Sequence, residues 1–215
     1  MPAIAGTRKR NRNSDSSIYP LLNEFINEKV PSFDALPEEW KNVDLKAFSD
    51  DMQLWDFQMK ALEYAIRAMY YYYSVLGENK QRFWDELQEY ASDLDLAGIM
   101  NIKSSDADVW NILRKHFYTQ DDSIPYSNFI NRMGFWMATG SGKTLVIVKL
   151  IDIMITFMER GLIPTKEILF LTYRDDLIEQ FTDHFEKFNK SQSKNIIRLY
   201  ELKDYNKVKY NNVMF

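Results

Sequence analysis

The stretch Met137-Ala-Thr-Gly-Ser-Gly-Lys-Thr144 has the residue types and the spacing of a loop that holds phosphate. Gly140 and Gly142 let backbone N–H groups turn inward without a Cβ in the way, and Lys143 brings a single cation to the outer phosphates. Thr144 offers a hydroxyl to a magnesium ion, and Thr139 and Ser141 complete the wall of the loop. Met137 stands where the strict pattern has its first glycine, so a glycine-rich turn without a ligand is the competing reading. The flanks favour the nucleotide. Apolar Phe135-Trp-Met137 leads in as a strand would, and a long apolar segment follows as a helix, whose N-terminal N–H groups and dipole attract an anion.

These residues need a scaffold, and the composition supplies one. The chain has 215 residues, 46% of them hydrophobic, which is enough for a sizeable core. It has no cysteine, which excludes disulfides and cysteine-ligated metal and fits a reducing, cytoplasmic compartment. The most apolar run, Leu145 to Met158, is too short to cross a membrane and carries Lys149 and Asp152, so a soluble protein without a membrane partner is expected. A net charge of −4 argues against a basic coat for nucleic acid and leaves room for a local basic groove. Residues 1–17 hold Arg8, Lys9, Arg10 and Arg12 among Asn, Ser and Gly. They read as a disordered basic arm, either a flexible terminus or a nucleic-acid tail.

Residues 18–53 form a lead-in punctuated by Pro20, Pro31 and Pro37, with a short helix over Leu21 to Val30 closed by Pro31. Leu54-Trp-Asp-Phe-Gln58 opens a stronger helix to residue 76, with Leu62, Ala65, Ile66, Met69, Tyr73 and Leu76 at helical spacing. The run Tyr70 to Tyr73 reads as packing, because no basic residues interleave it as a base-stacking platform would require. Residues 77–128 read as a helical acidic insertion. Ten acidic side chains against five basic ones between Gly77 and Asp122 would repel DNA, and helices are expected over 81–96 and from a capping signal at Ser105 through Tyr118. Asp85-Glu86 belongs to a solvated helix face.

Residues 129–215 carry the nucleotide domain. A strand is expected over 129–137 and a helix from Leu145 to Arg160, stopped by Gly161 and Pro164. Lys149, Asp152, Thr156 and Glu159 mark one narrow polar stripe on that helix. Ile168 to Thr172 suits a buried strand. A helix begins at Asp175 and Asp176 and is buried through Leu177, Ile178, Phe181, Phe185 and Phe188. Ile196 to Tyr200 makes another strand, and Asn212-Val-Met-Phe215 begins a further element. This alternation predicts an α/β fold, a parallel sheet covered on both faces by helices.

On these residues the chain resembles the first RecA-like domain of superfamily-two helicases and translocases, and within them the motor subunit of type I or type III restriction enzymes. Met137 to Thr144 resembles helicase motif I, Leu54 to Gln58 the adenine-recognising glutamine motif, and Arg174-x-x-Leu177-x-x-Gln180 motif Ia. The resemblance covers about residues 54–76 and 129–200, and implies a partial RecA-like sheet binding ATP and magnesium. It implies that Lys143 binds the β- and γ-phosphates, that Thr144 ligates the metal and that Gln58 meets the adenine edge. Phe57 or Trp55 packs on the base, and Thr172 and Arg174 touch a nucleic-acid backbone. Double-stranded DNA is the implied partner, with room for modification or specificity subunits.

Trp55 and Asp56 depart from the arginine and proline common in the glutamine motif, and 85 positions separate Gln58 from Lys143, far more than the family uses. The Asp-Glu motif, the arginine finger and the second motor domain do not follow, so an N-terminal fragment is expected, one that binds ATP at best weakly while its parent hydrolyses it. Two other readings stay open: another P-loop ATPase, or a regulatory nucleotide-binding module that docks a partner through its acidic helices.

Overall fold

A computed structural model describes residues 21–93, 101–102, 107–119, 123–125, 132–172, 174–192, 198–201, 204 and 212–214. The basic arm, the first residues of the strand expected over 129–137, and Tyr173 lie outside the described residues. The fold is mixed α/β. In chain order it runs α1 (Leu21–Lys29), α2 (Glu38–Lys41), β1 (Ala47–Ser49), β2 (Met52–Gln53), α3 (Asp56–Tyr70), α4 (Lys80–Asp93), β3 (Asn101–Ile102) and α5 (Ala107–His116). It continues with β4 (Ile124–Pro125), α6 (Lys143–Glu159), β5 (Ile168–Leu169), α7 (Asp175–Ser191), β6 (Arg198–Tyr200) and β7 (Asn212–Met214).

The core is built on helices. Leu62, Ala65, Ile66 and Met69 recur along α3 at the spacing that puts them on one face, and all are buried. The helix continues without a break into a π-helical turn over Tyr71–Val75, where Tyr71 is buried against Phe25 and Phe83. The tyrosine run is thus packing. Helix α1 must stop before Pro31, and its last carbonyls are satisfied from α3. Arg67 is buried and donates to the carbonyls of Ile26, Val30 and Pro31 and to Asn27 Oδ1 at 2.7–3.0 Å. Helix α4 brings Phe83, Leu87, Tyr90 and Ala91 into the same core, so this part of the acidic segment is core-forming on one side. Asp85 is exposed as expected of a solvated face, whereas Glu86 turns back to accept hydrogen bonds from Tyr71 and Arg82.

Helix α6 lies between α3 and α7. It ends in a Schellman motif: Gly161 takes φ +69°, Leu162 N–H reaches the Phe157 carbonyl and Gly161 N–H reaches that of Met158, at 2.9 and 3.0 Å. The expected polar stripe reaches water only in part: Glu159 is exposed and Asp152 and Thr156 are half-buried. Lys149 is buried, 3.4 Å from Asp152 and over the ring of Phe188, because α7 covers that side; the exposed side chain nearby is Ile147. Burial raises the carboxyl pKa of Asp152, with Lys149 opposing. Helix α7 buries Phe181, Phe185 and Phe188 along one face against α6 and β1.

Strands β5, β7 and β6 form a parallel sheet in that order, Ile168 opposite Val213 and Leu199 opposite Val213 on its other side. The sheet is covered on one face only among the described residues. Phe170 turns in and stacks on Phe181, centroids 4.0 Å apart, while Leu169 and Leu171 turn out and are 49% and 75% exposed. Of the strand expected over 129–137, the described residues from 132 onward lie in no strand, and Trp136 is 89% exposed. Both corrections have one cause. A parallel strand is held by neighbours that come from distant sequence, and none of the described strands lies beside 132–138.

Candidate phosphate-binding site

Residues 138–142 connect the irregular segment 132–137 to α6, and the geometry of the loop is set by two left-handed glycines. Gly140 has φ +76° and Gly142, the residue capping α6, has φ +72°. Ser141 N–H bonds to the Ala138 carbonyl at 3.2 Å, which tightens the turn, and Gly142 O receives the N–H groups of Leu145 and Val146 as the helix begins. The first N–H groups of a helix have no partner within it and face the loop. Lys143 folds back over them, its ammonium 2.6 Å from the Ala138 carbonyl. The cation is therefore held against the backbone of the same loop. Thr139 is exposed in the turn, and Ser141 Oγ is buried with no hydrogen-bond partner among the described residues. A buried hydroxyl without a partner, a lysine and helix-start donors within one short loop suit an anion, so the residues present fit a nucleotide phosphate.

Gln58 reaches this loop from α3, and that contact is tertiary. It occupies the third position of the helix, and its Oε1 accepts from the backbone N–H of Trp55, the cap residue, at 2.8 Å. Its Nε2 donates to the Ser141 carbonyl at 2.8 Å. The side chain is only 4% exposed and both amide ends are engaged, so it stands behind the loop as a support. A Cβ on Gly142 would fall 2.5 Å from Gln58 Nε2, so the second glycine is required twice, by its φ and by this close approach. Phe57, one position earlier, points outward with Trp55, ring centroids 5.7 Å apart.

A cleft of about 870 Å³ adjoins the loop between α1, α3 and residues 132–138. Phe57, Lys60 and Tyr64 line one wall and Trp136, Ala138 and Ser141 the other. Its size is within the range of small-molecule sites.

The remaining candidates lie at the start of α7. Arg174 donates through Nε to Asp176 Oδ1 at 2.9 Å and forms an ion pair with the same carboxylate, which holds the Asp176 carboxyl below its usual range. Its backbone N–H contacts Thr172 Oγ1 at 3.4 Å. The Arg174 guanidinium is thus held at the surface by a neighbouring carboxylate. One contact had no sequence signal beyond its place in a pattern: the Thr144 hydroxyl donates to Gln180 Oε1 at 3.2 Å, joining α6 to α7. The two residues are 36 positions apart, which no local periodicity reveals.

A family model described as the res subunit of type III restriction enzymes matches residues 84–215. No curated protein and no solved structure matches the chain. The match takes in the phosphate loop, α6, Thr172, Arg174 and α7, while Phe57 and Gln58 precede it. It brings with it a P-loop fold and the helicase-like ATPase class of that family. Matched over more than half of its length and carrying the phosphate loop inside the match, the chain belongs to the family of type III restriction enzyme res subunits.

Proposed function

We propose that this chain is the ATP-binding part of a DNA-dependent ATPase of the helicase-translocase kind, working in a type III or type I restriction system on double-stranded DNA. The observation that carries the reading is the Lys143 ammonium held 2.6 Å from the Ala138 carbonyl, inside a loop whose two glycines are left-handed. Phosphates there replace a weak internal partner with a charge-assisted one. Lys143 takes the β- and γ-phosphates, Thr139 to Gly142 wrap them, and Thr144 faces the magnesium ion that accompanies ATP. When bound there, magnesium would supply charge neutralisation for the phosphates. The base lies in the adjoining cleft against Phe57, and Gln58 meets the adenine edge only by releasing the Ser141 carbonyl.

A parallel sheet with α6 and α7 packed together supports a RecA-like arrangement, with the sheet completed by strands from elsewhere. Arg174, at a helix start after a strand, supports a backbone contact to DNA in which a phosphate displaces Asp176. Modification or specificity subunits are the partners this system implies.

Binding of a fluorescent ATP analogue tests the reading. Lys143→Ala should remove binding while circular dichroism stays unchanged; equal binding by both proteins would end the assignment of the loop.

A further inference from the structure

Gln180 touches the reacting end of the site without lining it. It sits in the second turn of α7, next to Phe181, whose buried ring stacks on Phe170 and fixes that turn in place. From there Oε1 accepts the proton of the Thr144 hydroxyl at 3.2 Å. A threonine hydroxyl has one proton and two lone pairs. When it ligates a metal, one lone pair is given up and the proton must point elsewhere, so an acceptor that fixes the proton also fixes the direction of the lone pairs. Gln180 is neutral. It can do this without drawing the metal to itself, as a carboxylate in the same place would.

We infer that Gln180 is a positioning residue for Thr144, holding its hydroxyl proton so that a lone pair faces the metal of a bound metal–nucleotide complex. The inference rests on the nucleotide reading of the loop. It also gives the helix that begins beside Arg174 a direct bond to the phosphate loop.

The affinity of the full chain for a fluorescent ATP analogue, measured in magnesium and again in EDTA, separates the outcomes. Wild type should bind more tightly with magnesium. Gln180→Leu should lose about tenfold in the magnesium affinity while its EDTA affinity holds, the size expected when a ligand's supporting partner is removed. Gln180→Met, which keeps the length of the side chain but has no comparable acceptor, should lose the magnesium gain to the same extent. A purely structural glutamine would instead weaken binding equally in both conditions and disturb the circular dichroism, and that result overturns the assignment. So does a wild-type magnesium gain in Gln180→Leu, with the loop itself still standing on Lys143. Absence of nucleotide binding by the wild type would take down the loop reading and this one together.

Discussion

Trp40 and Trp136 carry the same side chain into opposite surroundings. Trp40 is buried on the helical side, its ring 4.8 Å from Phe157 and 5.6 Å from Tyr70, centroid to centroid. Trp136 stands in the irregular segment before the glycine loop, close to fully exposed. The contrast extends to whole regions. On the helical side, α1, α3, α4 and α6 close around one another, and even a buried arginine finds four acceptors. On the sheet side, Leu169 and Leu171 of one strand and Phe135 and Trp136 of the other segment face outward. An amphipathic helix satisfies its own backbone and needs one neighbour to cover its stripe. A central parallel strand needs a neighbour on each edge and a layer on each face. The phosphate loop lies at the join of the two regions, with Gln58 reaching it from the closed side.

The comparison is broken most severely by removing the closed side's anchor. Trp40→Ala should destabilise the protein by about 3–5 kcal/mol, the cost of an emptied aromatic site in a packed core. Chemical denaturation measures this; a loss under 1 kcal/mol would mean that the helical side is no tighter than the sheet.

A smaller effect is expected at the join. Gly142→Ala places a Cβ at φ +72° and 2.5 Å from Gln58 Nε2, so about 1–2 kcal/mol of backbone strain is joined by a collision. Gln58→Ala in the same protein removes the collision and leaves the backbone term, so the double variant should lie closer to wild type in melting temperature than the two losses added together. Simple additivity would show that the glutamine and the glycine do not press on one another.

The smallest effect is expected at Trp136. Trp136→Ala should change stability by no more than about 0.5 kcal/mol, as for other exposed positions. A loss of several kcal/mol would mean that this segment is packed in solution, and the contrast between the two tryptophans would disappear.

Much of the helical half is legible in residue spacing. The positions 62, 65, 66 and 69 define the buried face of α3, Phe181, Phe185 and Phe188 that of α7, and Gly161 the end of α6. The turn over 138–142 is equally plain, because its two glycines act through local backbone geometry. Lys149 departs from its expected exposure for an equally physical reason. Its spacing with Asp152, Thr156 and Glu159 describes one side of α6, but how much of that side meets water depends on where α7 lies, and α7 covers its Lys149 end.

The sequence by itself therefore determined the parts whose interactions close within a few residues: the two turns of glycine around the loop, the helix stripes and the stop signals. Tertiary structure alone decided that Gln58 supports the Ser141 carbonyl, that Gln180 holds the Thr144 proton, and which face of the β5 strand is covered. Those contacts span 83 and 36 positions. A hydrogen bond across such a separation leaves no periodic trace in the chain, because it depends on where two rigid elements come to rest and not on the order of residues within either.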